Sequence, residues 1–229
     1  MSMQPQMMLM GKRDQIITTD LVLWLDAGMT NSYPGSGTTW TDLSPEGNDV
    51  TFVNTPTFSS ANGGHLDFDG TNDHGTLDST TSFPTGAAAG TIQAWVTVDA
   101  NPSTYGGVLS YGTAATGQAR SLLVNSSGNF IGSGFGASVT STITATLGTW
   151  YNLAFTYDGT NSELFINGAS DVVAARTLNT VLSIRKIGQF LDAAGEYWNG
   201  KVAMILHYDV ELTATQIDYN YDVTKARFA

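Results

Sequence analysis

The chain contains no cysteine. That excludes a disulfide framework, thiolate zinc ligation and a thiol nucleophile. Basic residues are scarce as well, with nine Lys and Arg against twenty Asp and Glu, a formal net charge of −11. With no basic stripe to neutralise phosphates, nucleic-acid binding is not expected, and anionic membrane surfaces are disfavoured for the same reason. No run of about 18 apolar residues occurs, so no segment reads as a membrane-spanning helix. Charged residues make up only 13% of the chain, so the solvent-facing surface must be built from Thr, Ser, Asn and Gly, a composition that favours strands and turns over helices.

At 229 residues, one β domain of ordinary sandwich size fits and needs neither metal nor disulfide to hold its core. Residues 1–20 read as an arm ahead of a domain over 21–229. The arm has no periodicity and carries the adaptable side chains of Met3, Met7, Met8 and Met10, and it is expected to dock on a neighbouring subunit. Lys12 and Arg13 follow this methionine-rich stretch instead of preceding it. That is the reverse of signal-peptide order, so Sec export is not expected.

From Leu21 onward the pattern is strands and turns. Leu21–Leu25 is a short apolar run closing into Asp26-Ala-Gly28. In Thr91–Val98, Ile92, Ala94, Val96 and Val98 alternate with Thr91, Gln93, Trp95 and Thr97. In Val139–Leu147, Val139, Ile143, Ala145 and Leu147 alternate with threonines. A period of two with threonine on one side predicts sheets with one wet face. Tyr151–Tyr157, Asp158-Gly159 and Glu163–Ile166 predict a hairpin, and Asn167-Gly168 supplies a second tight turn. The helix signal comes late: Thr213-Ala-Thr-Gln216 has capping-box spacing ahead of Ile217 and Tyr221.

Several of these segments resemble a known family. Leu21-Val-Leu-Trp-Leu-Asp-Ala-Gly28 and Tyr33-Pro-Gly-Ser-Gly-Thr-Thr-Trp-Thr-Asp-Leu-Ser44 are similar to the opening of laminin-G-like, concanavalin A-like jelly-roll domains. Leu66–Asp73, Thr149–Gly159 with Leu164–Gly168, and Asn199–Val202 through Ile217 resemble that family's later strands in the expected order. The resemblance implies an all-β, two-sheet antiparallel jelly-roll sandwich with one short C-terminal helix. The opening segment resembles domains of tailed-bacteriophage virion proteins. It implies a surface protein of a virus particle, assembled in the host cytoplasm, binding other virion proteins and forming homo-oligomers. The family's closing strand often carries an aspartate tied to a rim calcium, whereas Gly200-Lys-Val-Ala-Met-Ile205 lacks it, so no cofactor is expected from this route.

The candidate chemistry is thin. Asp69, Asn72 and Asp73 are the calcium candidates, but Gly70 directly follows Asp69 and no late Glu completes the loop template, so a turn bonding its own backbone is the stronger reading. Glu46, Glu163, Glu196 and Glu211 are widely separated and offer no acid/base dyad. His65, His74 and His207 have no zinc spacing, and Gly132-Ser-Gly134 is not a nucleophile elbow. No catalytic residue is assigned and no enzyme is expected. Trp40, Tyr105, Tyr111 and Trp198 lie among Gly, Ser and Thr. They are the candidates for stacking host-surface glycans on rim loops, over Asn101–Gln118 and Asp192–Asn199. The competing reading has the same rings cap the ends of the sandwich or sit in a subunit interface.

Overall fold

The computed structural model describes residues 15–229. Met3, Met7, Met8 and Met10, the residues expected to dock the arm, lie outside that range. In chain order the strands are β1 (Leu21–Asp26), β2 (Thr39–Trp40), β3 (Val50–Val53), β4 (Thr57–Ser59), β5 (His65–Asp69), β6 (His74–Leu77), β7 (Gly90–Thr97) and β8 (Tyr105–Gly112). There follow β9 (Ala119–Asn125), β10 (Asn129–Ser133), β11 (Ser138–Thr144), β12 (Trp150–Tyr157), β13 (Asn161–Ile166), β14 (Ala169–Ala175), β15 (Ile184–Ile187) and β16 (Asn199–Tyr208), then helix α1 (Ala214–Thr224).

Two antiparallel sheets face each other. The first runs β14-β13-β12-β7-β16-β5-β4, and the second β11-β10-β9-β8-β15-β6-β3-β2. The long β16 carries two neighbours on one side: its first half pairs β5, from Asn199 with Asp69 to Val202 with Leu66. Its second half pairs β1, from Met204 with Asp26 to Tyr208 with Leu21. Alternate residues fill the space between the sheets, among them Leu23, Leu25, Ile92, Val96, Leu109, Leu122, Leu153, Phe155 and Ile205, all buried. Each large apolar side chain so buried contributes roughly 2 kcal/mol.

The turns form as their residues require. Asp158 Oδ1 accepts from the amides of Thr160 and Asn161, both at 2.6 Å. Asn167 and Gly168 take φ of 52° and 82°, the left-handed pair that a two-residue hairpin turn needs. The capping box is present: Thr213 Oγ1 accepts from the Gln216 amide at 3.3 Å and Gln216 Oε1 accepts from the Thr213 amide at 2.9 Å.

The wet face expected on β7 is not there. All of Gly90–Thr97 is buried, because α1 and the segments flanking it lie across the outer side of the first sheet. Ile16, Trp95, Phe165, Met204, Leu206, Ile217 and Phe228 form a second apolar layer there. At its centre Asn220, 1% exposed, donates to Gln93 Oε1 at 2.9 Å and to the Tyr208 hydroxyl at 3.0 Å. Its Oδ1 accepts from the Ile17 amide at 2.9 Å. Gln93 and Asn220 thus satisfy one another inside the layer, where polar groups must be paired. The second expected alternation also ends early. Val139 points inward, but β11 is an edge strand that stops at Thr144, leaving Ile143 41% and Leu147 54% exposed.

Candidate functional site

The outer face of the second sheet carries an apolar patch that no helix covers. Leu123 of β9 and Ile131 of β10 stand side by side in register, and Phe190 and Leu191 of the segment between β15 and β16 fold down onto them. Tyr105 at the start of β8 meets Phe190 edge-on, with centroids 5.6 Å apart. Phe135, in the turn between β10 and β11, faces Phe190 from the other side at 6.0 Å. Between these rings and Ser133, Ser138 and Thr140 lies a cavity of about 370 Å³. A second cavity of about 210 Å³ continues beyond Phe135 and Phe190 towards Ile184, Asp192 and Glu196.

Backbone geometry marks this groove. Phe135 and Leu191 hold φ of 53° and 49°, a region costly for bulky L residues and found most often where function demands it. The Phe135 turn is held by Ser133 Oγ, which accepts from the Phe135 amide at 3.0 Å and from Ser138 Oγ at 2.9 Å. Both carboxylates at the rim are engaged: Glu196 Oε1 accepts from Thr104 Oγ1 at 2.8 Å, and Asp192 pairs with Lys186 at 3.3 Å. The groove can therefore stack flat apolar faces and exchange hydrogen bonds with hydroxyls on one surface.

Of the four aromatic candidates, the structure brings only Tyr105 to this groove, 38% exposed. Trp40, Tyr111 and Trp198 are fully buried, and a buried ring cannot stack on a sugar, so those three assignments are corrected. Trp40 is the inward residue of β2 and stacks on Phe52 at 6.1 Å. Tyr111 points inward from β8, its ring 5.0 Å from Phe83 and its hydroxyl 3.3 Å from His207 Nε2. Burial pushes the Tyr111 hydroxyl up to about 12, against the pull of Arg120. Trp198 lies under the sheet, its backbone N–H donating to the Gly188 carbonyl at 2.9 Å. Phe135 and Phe190 were missed. Their signal was a bulky ring set among small or polar residues, in Gly132-Ser-Gly-Phe135-Gly136 and Gln189-Phe190.

The acidic cluster is a turn. Asp69 Oδ1 accepts from the amides of Thr71, Asn72 and Asp73 at 2.8, 3.1 and 3.3 Å, and Asp73 Oδ2 accepts from the Asp69 amide at 3.2 Å. Burial would raise the Asp69 carboxyl, but these amides outweigh it and hold the group below its usual range. Among the described residues no group of three or more His, Asp or Glu stands close enough to hold a metal ion. The histidines lie apart, and His207 is held neutral by burial and by the Arg120 guanidinium.

The model for the concanavalin A-like lectin/glucanases superfamily, in its laminin-G form, matches residues 69–218. The chain belongs to this superfamily. No curated protein matches the sequence. Among solved structures, the binding domain of Paraclostridial Mosquitocidal Protein 1 superposes with a TM-score of 0.68 at 12% identity, over 88% of this chain and 52% of that one. Trypanosoma rangeli sialidase in complex with sialic acid gives 0.67 at 17% identity, over 90% of this chain and 33% of that one. Domain 4 of AbnA, a GH43 extracellular arabinanase from Geobacillus stearothermophilus, in complex with arabinotriose, gives 0.65 at 14% identity, over 90% and 98% respectively. The chain thus spans about half of the first protein, a third of the second and nearly all of the third. At these identities the likeness is one of fold.

Proposed function

We propose that this domain is a non-catalytic carbohydrate-binding module that takes sugar chains in the groove walled by the open rings of Tyr105 and Phe135, with the buried Phe190 as its floor. The observation that carries the reading is the combination of ring faces and hydroxyls around one cavity of about 370 Å³. Sugars need both, an apolar face to stack and donors and acceptors to fix orientation. Domain 4 of the arabinanase, a unit of similar size whose structure is in complex with arabinotriose, supports the same direction. A role without turnover is supported by the rim carboxylates, each already committed to Thr104 or Lys186. A role without calcium is supported by Asp69, whose carboxylate is occupied by its own turn.

Affinity electrophoresis in gels containing soluble arabinan and other plant and bacterial polysaccharides tests this. The wild-type protein is retarded in at least one gel. Tyr105→Ala, at an exposed position, weakens that retardation on the order of tenfold, the loss expected for one anchoring ring. Equal mobility of wild type and variant in every gel would refute the reading.

A second reading keeps the particle-surface role expected from the opening segment, with the same groove serving host adhesion. It is favoured by the edge strands β11 and β14, which leave Ile143 and Val173 exposed at 41% and 59%. Apolar edges invite pairing with another subunit. Light scattering should then report an oligomer that Val173→Lys dissociates, and a monomeric wild type would rule this reading out.

A further inference from the structure

Register on the outer face of the second sheet lines up one residue from each of its eight strands. Thr39, Thr51 and Thr76 are direct cross-strand partners across β2, β3 and β6, and Thr76 pairs with Lys186 of β15. The row continues from Lys186 to Ser110, Ser121, Ser133 and finally Ser138 of β11. Their chain neighbours Trp40, Val50, Leu77, Ile187, Leu109 and Leu122 all face the core, so the whole row faces outward. At about 4.8 Å per strand this hydroxyl track runs roughly 34 Å.

Its ends are open, but its middle is not. Ser110 and Ser121 are fully buried, and Ser133 is 4% exposed where it lines the groove. What lies above them is the segment between β15 and β16. Phe190 and Leu191 pack onto Ala119 and Leu123, which flank Ser121 on the same face. The fit against β8 is close: a Cβ on Gly107 would stand 2.6 Å from the backbone of Gln189 and Phe190. Beneath this cover Ser110 Oγ and Ser121 Oγ, and in it Gln189 Oε1, are buried without a hydrogen-bond partner among the described residues. Shut, the cover gains the burial of Phe190 and Leu191 but strands three polar atoms and strains Leu191. These opposing terms are of similar size, the condition for two accessible positions. Gly188, with φ of 75°, stands immediately ahead of the segment, and Gly195, with φ of 79°, lies near its far end. Its side chains are tied by Asp192 to Lys186 of β15, by Glu196 to Thr104 just ahead of β8, and by the Tyr197 ring 5.8 Å from His74 of β6.

We infer that residues 189–197 form a hinged cover, and that the open groove and the hidden serines are two parts of one trough for an extended, uncharged polysaccharide chain. The choice of ligand rests on the carbohydrate reading above; the cover does not. Hydroxyls and an amide suit an uncharged chain. Lys186, the one charge in the row, is paired with Asp192, and Glu196 at the rim, with the protein's net charge of −11, opposes an anionic one.

The chain has no native cysteine, so a single introduced thiol reports on the cover directly. Ser121→Cys should react with a thiol reagent under native conditions at least about tenfold faster than Val96→Cys, a fully buried core position that opens only with the whole fold. Ser110→Cys serves as a second reporter of the same opening. Soluble arabinan, as a neutral probe, should slow the reaction, and hyaluronan, as an anionic one, should leave it unchanged. If neither serine position labels faster than Val96→Cys, the cover does not open and the inference falls. If arabinan binds by electrophoresis but leaves the rate unchanged, or hyaluronan slows it instead, the shared uncharged trough falls while the groove stands. If nothing binds the wild type, the carbohydrate reading fails, and the labelling ratio still decides the cover.

Discussion

Asn220→Ala is the most informative single change to the fold. Asn220 sits between α1 and the first sheet with every side-chain bond inside the protein: to Gln93 Oε1, to the Tyr208 hydroxyl and from the Ile17 amide. Truncation takes from the Ile17 amide and from Gln93 Oε1 the bonds that Asn220 supplies. Tyr208 keeps its donation to the Ile17 carbonyl at 2.8 Å, and Gln93 Nε2 keeps Asn152 at 2.8 Å. Two stranded buried groups at about 1–3 kcal/mol each give a loss of roughly 4 kcal/mol. That is a large share of the 5–15 kcal/mol typical of a whole domain. Urea unfolding should show the midpoint falling with the slope nearly unchanged. Asn220→Asp keeps the acceptor for Ile17 but turns a second oxygen towards Gln93 Oε1, so it should be no milder than alanine. Because the two side chains act as one unit, Asn220→Ala and Gln93→Ala should be non-additive by about 1–2 kcal/mol. A loss below about 1 kcal/mol for Asn220→Ala, or strict additivity with Gln93→Ala, would refute this account of how α1 is held.

Two further outcomes follow from other buried polar groups. Arg227 bonds Asp26 Oδ1 at 2.7 Å, the Gly64 carbonyl at 2.6 Å and the Asn62 carbonyl at 3.0 Å; Arg227→Ala should cost roughly 2–4 kcal/mol by leaving Asp26 buried and unpaired. Thermal melting should show Asp26→Asn recovering part of that loss in the Arg227→Ala background, and no recovery would count against the pairing. His207 has its pKa driven well below 6.5, first by burial and then by Arg120. Below about pH 6.5 the unfolded chain takes up a proton there that the folded chain refuses, so acidification destabilises by up to about 1.4 kcal/mol per pH unit. His207→Gln should flatten the dependence of the urea midpoint between about pH 6.5 and 5, and identical slopes would contradict the assignment.

The fold was largely legible because its signals are local. Asn167-Gly168 needs only its own backbone freedom to turn, and Thr213 with Gln216 caps a helix across three residues. Inward alternation on β7 is visible as Ile92, Ala94 and Val96. The other face of β7 misled: Gln93 and Trp95 look solvent-exposed beside threonines, yet a helix more than a hundred residues later supplies their cover and partners. The site was legible only in part. Tyr105 was found, while Trp40, Tyr111 and Trp198 were read as exposed because small polar neighbours surround both buried and open rings. Nothing short-range separates Trp40 of β2, which points inward, from Tyr105 of β8, which does not.

Sequence alone determined that the segments of β1, β7, β12 and β13 are strands, that Asp158-Gly159 and Asn167-Gly168 turn, and how α1 begins, since those depend on preferences acting over two to four residues. Only the tertiary structure decided which aromatic faces reach solvent, how Asn220 meets Gln93, and that hydroxyls from seven separate strands fall in one line with Lys186 among them. Those outcomes depend on register between strands far apart in the chain, where a slip of one residue would turn every side chain to the opposite face.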